Sequence, residues 1–124
     1  MSDGDKVLVA DDDRDILELV AMRVARMGFE PIRATDGAQA LAGAETHTLA
    51  AAVLDVMMPK YDGIEVTRRL RDRPETASLP ILLLTARSQE EDISRGLASG
   101  ADGYLTKPFD PVEFRERLVA LVED

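Results

Sequence analysis

The chain has 124 residues, no cysteine and a formal net charge of −9. This length suits a single domain, residues 1–124 with the folded part at about 6–123, and is too short for two domains. So acidic a surface repels phosphate backbones, which argues against nucleic acid as a direct partner of this domain. The sequence has neither an apolar run that could span a bilayer nor a basic, apolar leader, so we expect a cytoplasmic protein without a membrane partner.

Short apolar runs alternate with segments of helical periodicity along the whole chain. Three of the runs are almost continuously apolar, which is typical of parallel strands buried on both faces. Between the runs, apolar residues recur at helical spacing, most clearly over residues 16–27. Gly28 and Gly100 fit the C-terminal caps of helices. The runs are Val7–Ala10, Pro31–Ala34, Ala51–Leu54, Ile81–Leu84 and Gly103–Leu105.

This alternation predicts five βα units. Such units form a parallel sheet with helices on both faces and right-handed crossovers. Ser88, with Glu91 three residues later, fits a capping box for a helix that runs to about Ser99. The last predicted helix reaches almost to the final residue, which leaves no room for an output domain within these 124 residues.

Polar side chains gather at the predicted carboxyl ends of the strands, where open α/β sheets bind their ligands. Asp11, Asp12 and Asp13 follow the first strand, and Asp55 ends the third. Thr85 ends the fourth strand and Lys107 follows the fifth. Each residue taken singly has a structural explanation, such as a helix cap or a solvated charge. Their convergence on one edge of the sheet predicts a functional site.

The chemistry of this set indicates phosphoryl transfer. Crowded carboxylates raise their pKa values or bind a cation, and oxygen ligands suit Mg²⁺, with Mn²⁺ as a substitute. A carboxylate can attack a phosphoryl group, while Lys107 and Thr85 would stabilise the phosphoryl oxygens. The sequence contains no GxxxxGK[ST] loop, which argues against transfer from a nucleotide. His47, the only histidine, is interpreted as a solvated loop residue and not as a metal ligand.

Five motifs, in order and in register, make the chain resemble the receiver domains of bacterial two-component response regulators over about residues 6–123. The resemblance implies a flavodoxin-like (βα)5 fold, with a parallel sheet of order 2-1-3-4-5. The motifs are Val7–Asp13, Asp55–Gly63, Leu84–Ala86, Gly100–Tyr104 and Lys107–Phe109.

The resemblance also implies roles for the acidic residues. Asp55 would be the phosphoacceptor. Mg²⁺ would be bound by Asp12, Asp55 and the backbone carbonyl of Met57, with Asp11 acting mainly through a water molecule.

Further roles follow from the same resemblance. Thr85 would be the switch hydroxyl, and Tyr104 the aromatic ring that turns inward when Thr85 engages the phosphoryl group. Lys107 would pair with the phosphoryl oxygens, and the bond to Pro108 would be cis.

The implied partners are a sensor histidine kinase or a histidine phosphotransfer protein, which would supply the phosphoryl group. The surface of helix 4, strand 5 and helix 5 would then act on a downstream protein or on a severed output domain. A homodimer through this surface is a further expectation, although Gly103 stands where such dimers often carry an acid. The domain would not be an enzyme beyond its own phosphoryl acceptance and hydrolysis.

Three other functions compete with this one. A phosphatase of the haloacid dehalogenase type needs a second acid two residues after its nucleophile, and that position is Met57 here. A flavodoxin-like binding protein needs a loop of Ser, Thr and Gly after the first strand, where this chain has three acids. A phosphorylation-independent interaction module of the same fold would not need the acceptor site.

Overall fold

Five strands alternate with five helices in this computed structural model, which describes residues 5–86 and 91–123, the side chain of Asp92 excepted. The order along the chain confirms the five predicted βα units. The elements are β1 (Lys6–Ala10), α1 (Arg14–Arg26), β2 (Glu30–Ala34), α2 (Gly37–Thr46), β3 (Leu49–Asp55), α3 (Gly63–Arg71), β4 (Ile81–Ala86), α4 (Glu91–Ala98), β5 (Gly103–Lys107) and α5 (Pro111–Glu123).

The strands form one parallel sheet of order β2-β1-β3-β4-β5, as the resemblance implied. The direction of winding reverses between β1 and β3, and a sheet of this kind opens a crevice at the carboxyl ends of the two strands at the reversal. Ala10 pairs with Leu54 there. The residues that follow them, Asp11 and Asp55, therefore begin the crevice side by side.

Two apolar cores hold the helices, one on each face of the sheet. Leu82 and Leu84 point into a core shared with α1 and α5. Leu83, between them on the strand, points into the opposite core, which contains residues of α2 and α3. The helix α4 lies on this second face, because a Cβ on Gly96 would come within 2.4 Å of the Leu83 side chain. Alternation along buried strands thus explains why both faces are apolar.

Caps define the ends of several helices. Asp13, Asp36 and Asp62 are the N-caps of α1, α2 and α3, and each accepts hydrogen bonds from backbone N–H groups of the first turn. Gly28 and Gly100 follow α1 and α4 with φ of 95° and 115°. These positive angles confirm the predicted C-terminal caps, since glycine adopts them without a steric penalty.

Three expectations need correction or completion. The strand β5 extends to Lys107, beyond its apolar run, because backbone pairing with Ala86 continues the ladder past the last apolar residue. His47 is the C-terminal cap of α2 and is half-buried, with Nδ1 3.1 Å from the Gly43 carbonyl, so it is no solvated loop residue. The predicted capping box at Ser88 lies outside the described residues.

Across the described part of the chain, no helix has both the length and the apolar character that crossing a bilayer requires.

Candidate functional site

Three aspartates form an acidic cluster at the crevice between β1 and β3. Asp11, Asp12 and Asp55 each offer a carboxylate oxygen, and these oxygens lie within 4.8 Å of one another. Asp11 and Asp55 are 1% and 4% exposed, whereas Asp12 is open to solvent. The cluster therefore combines two buried carboxylates with one at the mouth of the site.

Backbone and side-chain contacts fix Asp11 in this cluster. Its N–H donates to the Ala34 carbonyl (3.1 Å), and its Oδ1 accepts from the N–H of Asp13 (2.9 Å). Asp13 itself caps α1, with its Oδ1 accepting from Asp15 and Ile16. Of the three consecutive acids, two join the cluster and the third starts a helix.

Lys107 bridges the two buried carboxylates. Its Nζ lies 3.1 Å from Asp11 Oδ2 and 3.1 Å from Asp55 Oδ1. The next peptide bond, to Pro108, is cis. Among the described residues, the site thus holds three carboxylates and one ammonium, which leaves an excess of negative charge.

Burial and charge shift the pKa values of this pair. Burial, and then the neighbouring charge of Asp11, raise the pKa of Asp55 to about 7, although Lys107 acts in the opposite direction. Burial would lower the pKa of Lys107, but the charges of Asp55 and Asp11 outweigh it and raise this pKa. Lys107 therefore stays an ammonium, whereas the surroundings of Asp55 disfavour its anionic form and raise the pH at which it loses its proton.

The loop between β3 and α3 packs against the backbone of Asp55. The N–H of Gly63 donates to the Val56 carbonyl (2.9 Å). A Cβ at Gly63 would lie 2.5 Å from the carbonyl oxygen of Asp55, so only glycine fits. Gly63 is the last residue of the Asp55–Gly63 motif, but nothing in the sequence indicates that it packs against the backbone of Asp55.

Met57 and Met58 behave differently in this loop. The Met58 side chain packs inward (9% exposed) and that of Met57 points outward (54% exposed). Within the described residues the carbonyl of Met57 accepts no hydrogen bond, whereas those of Val56 and Pro59 do. This leaves the Met57 carbonyl oxygen available to a ligand.

Thr85 and Tyr104 occupy other positions at this end of the sheet. Thr85 is buried at the end of β4, one residue beyond the Leu84 that pairs with Asp55, and its hydroxyl donates to the Ala86 carbonyl (3.3 Å). Tyr104 is half-buried and packs against the core of α2 and α3. The structure brings Asp11, Asp12, Asp55 and Lys107 together. The Tyr104 side chain lies instead on the face of the sheet that packs against α2 and α3.

The donors of this site fit a hard divalent cation. Three carboxylates and a carbonyl oxygen are the ligand types that Mg²⁺ binds in proteins. The uncompensated negative charge and the open side at Asp12 agree with a bound cation that keeps positions for water and substrate.

Comparisons with known proteins agree with this geometry. The model of the response regulator receiver domain family matches residues 7–119. The alkaline phosphatase synthesis transcriptional regulatory protein PhoP of Bacillus subtilis is 46% identical over 94% of this chain and 48% of its own length. The DNA-binding dual master transcriptional regulator RpaA of Synechocystis is 42% identical over 94% of this chain and 48% of its own length. The chain thus spans about half the length of these curated relatives.

Solved structures show the same architecture. A putative response regulator from Chloroflexus aurantiacus superimposes with a TM-score of 0.92 at 33% identity, over 98% of this chain and 99% of that one. The receiver domain of the sensor histidine kinase PA1611 from Pseudomonas aeruginosa, with a magnesium ion in its active site cleft, gives a TM-score of 0.89 at 27% identity, over 98% and 99%.

The fold and the match along the chain define a signalling domain of bacterial two-component systems, a class distinct from ordinary enzymes. The chain belongs to the response regulator receiver domain family.

Proposed function

We propose that this chain is a phosphorylation-activated receiver in which Asp55 accepts a phosphoryl group with the help of Mg²⁺. The observation that carries the proposal is the position of the Asp55 carboxylate, buried, 3.1 Å from the Lys107 ammonium and beside the oxygens of Asp11 and Asp12. The donor would be a sensor histidine kinase or a histidine phosphotransfer protein.

In the proposed reaction, a carboxylate oxygen of Asp55 forms a bond to phosphorus. The bond from phosphorus to the donor's imidazole nitrogen breaks, and its electron pair returns to the imidazole. Asp12, Asp55 and the Met57 carbonyl would hold Mg²⁺, with Asp11 acting through a water molecule; Mn²⁺ suits the same oxygens. When bound, the ion neutralises charge on the phosphoryl oxygens.

Lys107 and Thr85 would then stabilise the product. The Lys107 ammonium already lies beside the acceptor, and a phosphoryl group adds about 1.5 to 2 negative charges for it to pair with. The Thr85 hydroxyl would turn toward the new oxygens, and Tyr104 would follow it inward. This rearrangement would change the surface of α4, β5 and α5.

The changed surface would act on a downstream protein or on an output domain of a longer chain, or would bind a second copy as a homodimer. Hydrolysis of the acyl phosphate by water would end the signal, and the domain would catalyse no other reaction. A cytoplasmic location agrees with the proposed phosphoryl donors. An acidic surface remains unsuited to direct binding of nucleic acid by this domain.

The haloacid dehalogenase alternative fits the site less well. It requires a carboxylate two residues after the nucleophile, and the exposed side chain there is Met57. The residue at this position therefore argues against a phosphatase of this type.

Intact mass spectrometry after incubation with acetyl phosphate tests the proposal. We expect one added phosphoryl group that requires Mg²⁺ and is absent from Asp55→Asn. Asp13→Asn is the matched control, because Asn caps a helix as well as Asp and Asp13 lies outside the acidic cluster. An adduct that persists in Asp55→Asn, or none on the unmodified protein despite bound Mg²⁺, would refute it.

A further inference from the structure

A cleft between α1 and α5 combines an apolar interior with a basic rim. Its volume is about 210 Å³, below the roughly 300–1,000 Å³ of small-molecule pockets, so it suits one large side chain. The floor is formed by Met27 and Phe114, both buried. The remaining lining residues are Arg23, Arg26, Pro111, Val112 and Arg115.

No carboxylate of the described residues pairs with the three arginines of the rim. Within the described residues, Arg23, Arg26 and Arg115 form no ion pair. Most other arginines of the same part of the chain contact a carboxylate within 4.0 Å, although the net charge of the protein is −9. These paired arginines are Arg33, Arg68, Arg69, Arg71, Arg73 and Arg117.

Exposed apolar side chains extend the same surface. Leu19 (42% exposed) and Met22 (39%) lie four residues before Arg23 and Arg26, and so on the same stripe of α1. Val112 is 62% exposed at the edge of the cleft. Such a patch on an otherwise charged surface marks a contact for a partner.

We infer that this cleft binds an acidic segment of a protein partner, one that inserts a large apolar side chain between carboxylates. The three arginines would attract the carboxylates of such a segment. The small volume of the cleft limits the inserted side chain to one large residue. An extended polyanion fits less well, because Asp110, Glu113 and Glu116 line the surface on the other side of Val112. This binding does not depend on Asp55 as acceptor.

Titration of ¹⁵N-labelled protein with the peptide acetyl-Glu-Glu-Phe-Glu-Glu-amide, followed by NMR, tests the inference. We expect chemical-shift changes concentrated at residues 23–27 and 112–115. Peptides with Phe replaced by Ala, or Glu replaced by Gln, should bind more weakly. Shifts scattered over the surface, or equal binding of the Gln peptide, would overturn the inference.

Matched variants locate the site. Arg26→Glu combined with Arg115→Glu should weaken binding about tenfold or more. Arg14→Glu is the control, since Arg14 is an exposed arginine of α1 that also lacks an ion pair within the described residues and lies outside the cleft. Equal affinities of the two variants, with folding checked by circular dichroism, would contradict the inference.

Two further measurements separate this inference from neighbouring ideas. Asp55→Asn should bind the peptide as the unmodified protein does, so a failure of phosphorylation leaves this result intact. Vesicles of equal parts phosphatidylserine and phosphatidylcholine should not bind. Binding of vesicles through Arg26 and Arg115, without binding of the peptide, would overturn the inference in favour of a lipid surface.

Discussion

The negative charge of Asp55 is disfavoured by its surroundings in the fold. Its carboxylate is 4% exposed and shares one ammonium with Asp11. Its pKa is therefore raised from 3.8 to about 7, first by burial and then by the charge of Asp11. A bound divalent cation would offset the repulsion between these carboxylates.

The pH dependence of stability should reveal this residue. Because the folded state binds the Asp55 proton more tightly than the unfolded chain, this contribution favours folding at low pH and is lost as the pH rises through about 7. The stability of Asp55→Asn relative to the unmodified protein should therefore increase by about 3 kcal/mol between about pH 5 and pH 8 in EDTA. Urea unfolding at both pH values measures it. A pH-independent difference would contradict the expectation, and saturating Mg²⁺ should remove most of it.

At the scale of elements, the close approach of the first turn of α3 to the end of β3 holds the acceptor in place. Gly63→Ala would place a Cβ 2.5 Å from the Asp55 carbonyl oxygen, and the nearest atoms that this Cβ would meet all belong to the backbone. We expect a loss of about 1 to 3 kcal/mol in unfolding free energy and weaker Mg²⁺ binding. Thermal unfolding and isothermal calorimetry measure the two effects.

Gly43→Ala is the control for this substitution. Gly43 lies in α2, and its Cβ would meet only the tips of Leu8 and Ile32, at 3.3 and 3.4 Å. The gain in helix propensity, about 1 kcal/mol, should offset this crowding, so stability should change little. Equal losses of unfolding free energy in the two variants would show that the contact with Asp55 does not cause the loss in Gly63→Ala.

Much of the architecture follows from the sequence because apolar runs and caps are local signals. The runs around Val53 and Leu83 mark buried strands, and Asp55 marks where one of them ends. Contacts between distant segments carry no such signal. The bridge from Lys107 to Asp11 spans 96 residues, and the approach of Gly63 to Asp55 depends on the path of a loop. Likewise, the residue type does not distinguish the three acids after β1. The resemblance selected Asp11 and Asp12, and the fold adds that Asp13 caps α1.

For the whole molecule, Mg²⁺ should act as a folding ligand. A cation that binds only the folded state, at about a hundredfold excess over its Kd, adds about 3 kcal/mol to the unfolding free energy. Asp12 is exposed, so Asp12→Asn should change the metal-free protein little and reduce this Mg²⁺ effect. Melting curves over a Mg²⁺ series measure it.

Asp15→Asn is the charge-matched control, an exposed acid in the first turn of α1 outside the cluster. It should keep the full Mg²⁺ effect. The same reduction in both variants would mean that Mg²⁺ merely screens the net charge of −9.

The two edge strands, β2 and β5, limit how another chain could pair with the sheet. The Glu30 N–H points inward, to the Asp5 carbonyl, so the next residue, Pro31, turns its backbone nitrogen outward, where it has no hydrogen to donate. At the opposite edge, Arg117 donates to the Tyr104 carbonyl of β5. Neither border of the sheet offers a complete row of backbone groups to a foreign strand. Pairing of a foreign strand with either edge, the first step toward fibres, is therefore disfavoured, and contacts with other proteins fall mainly to side chains.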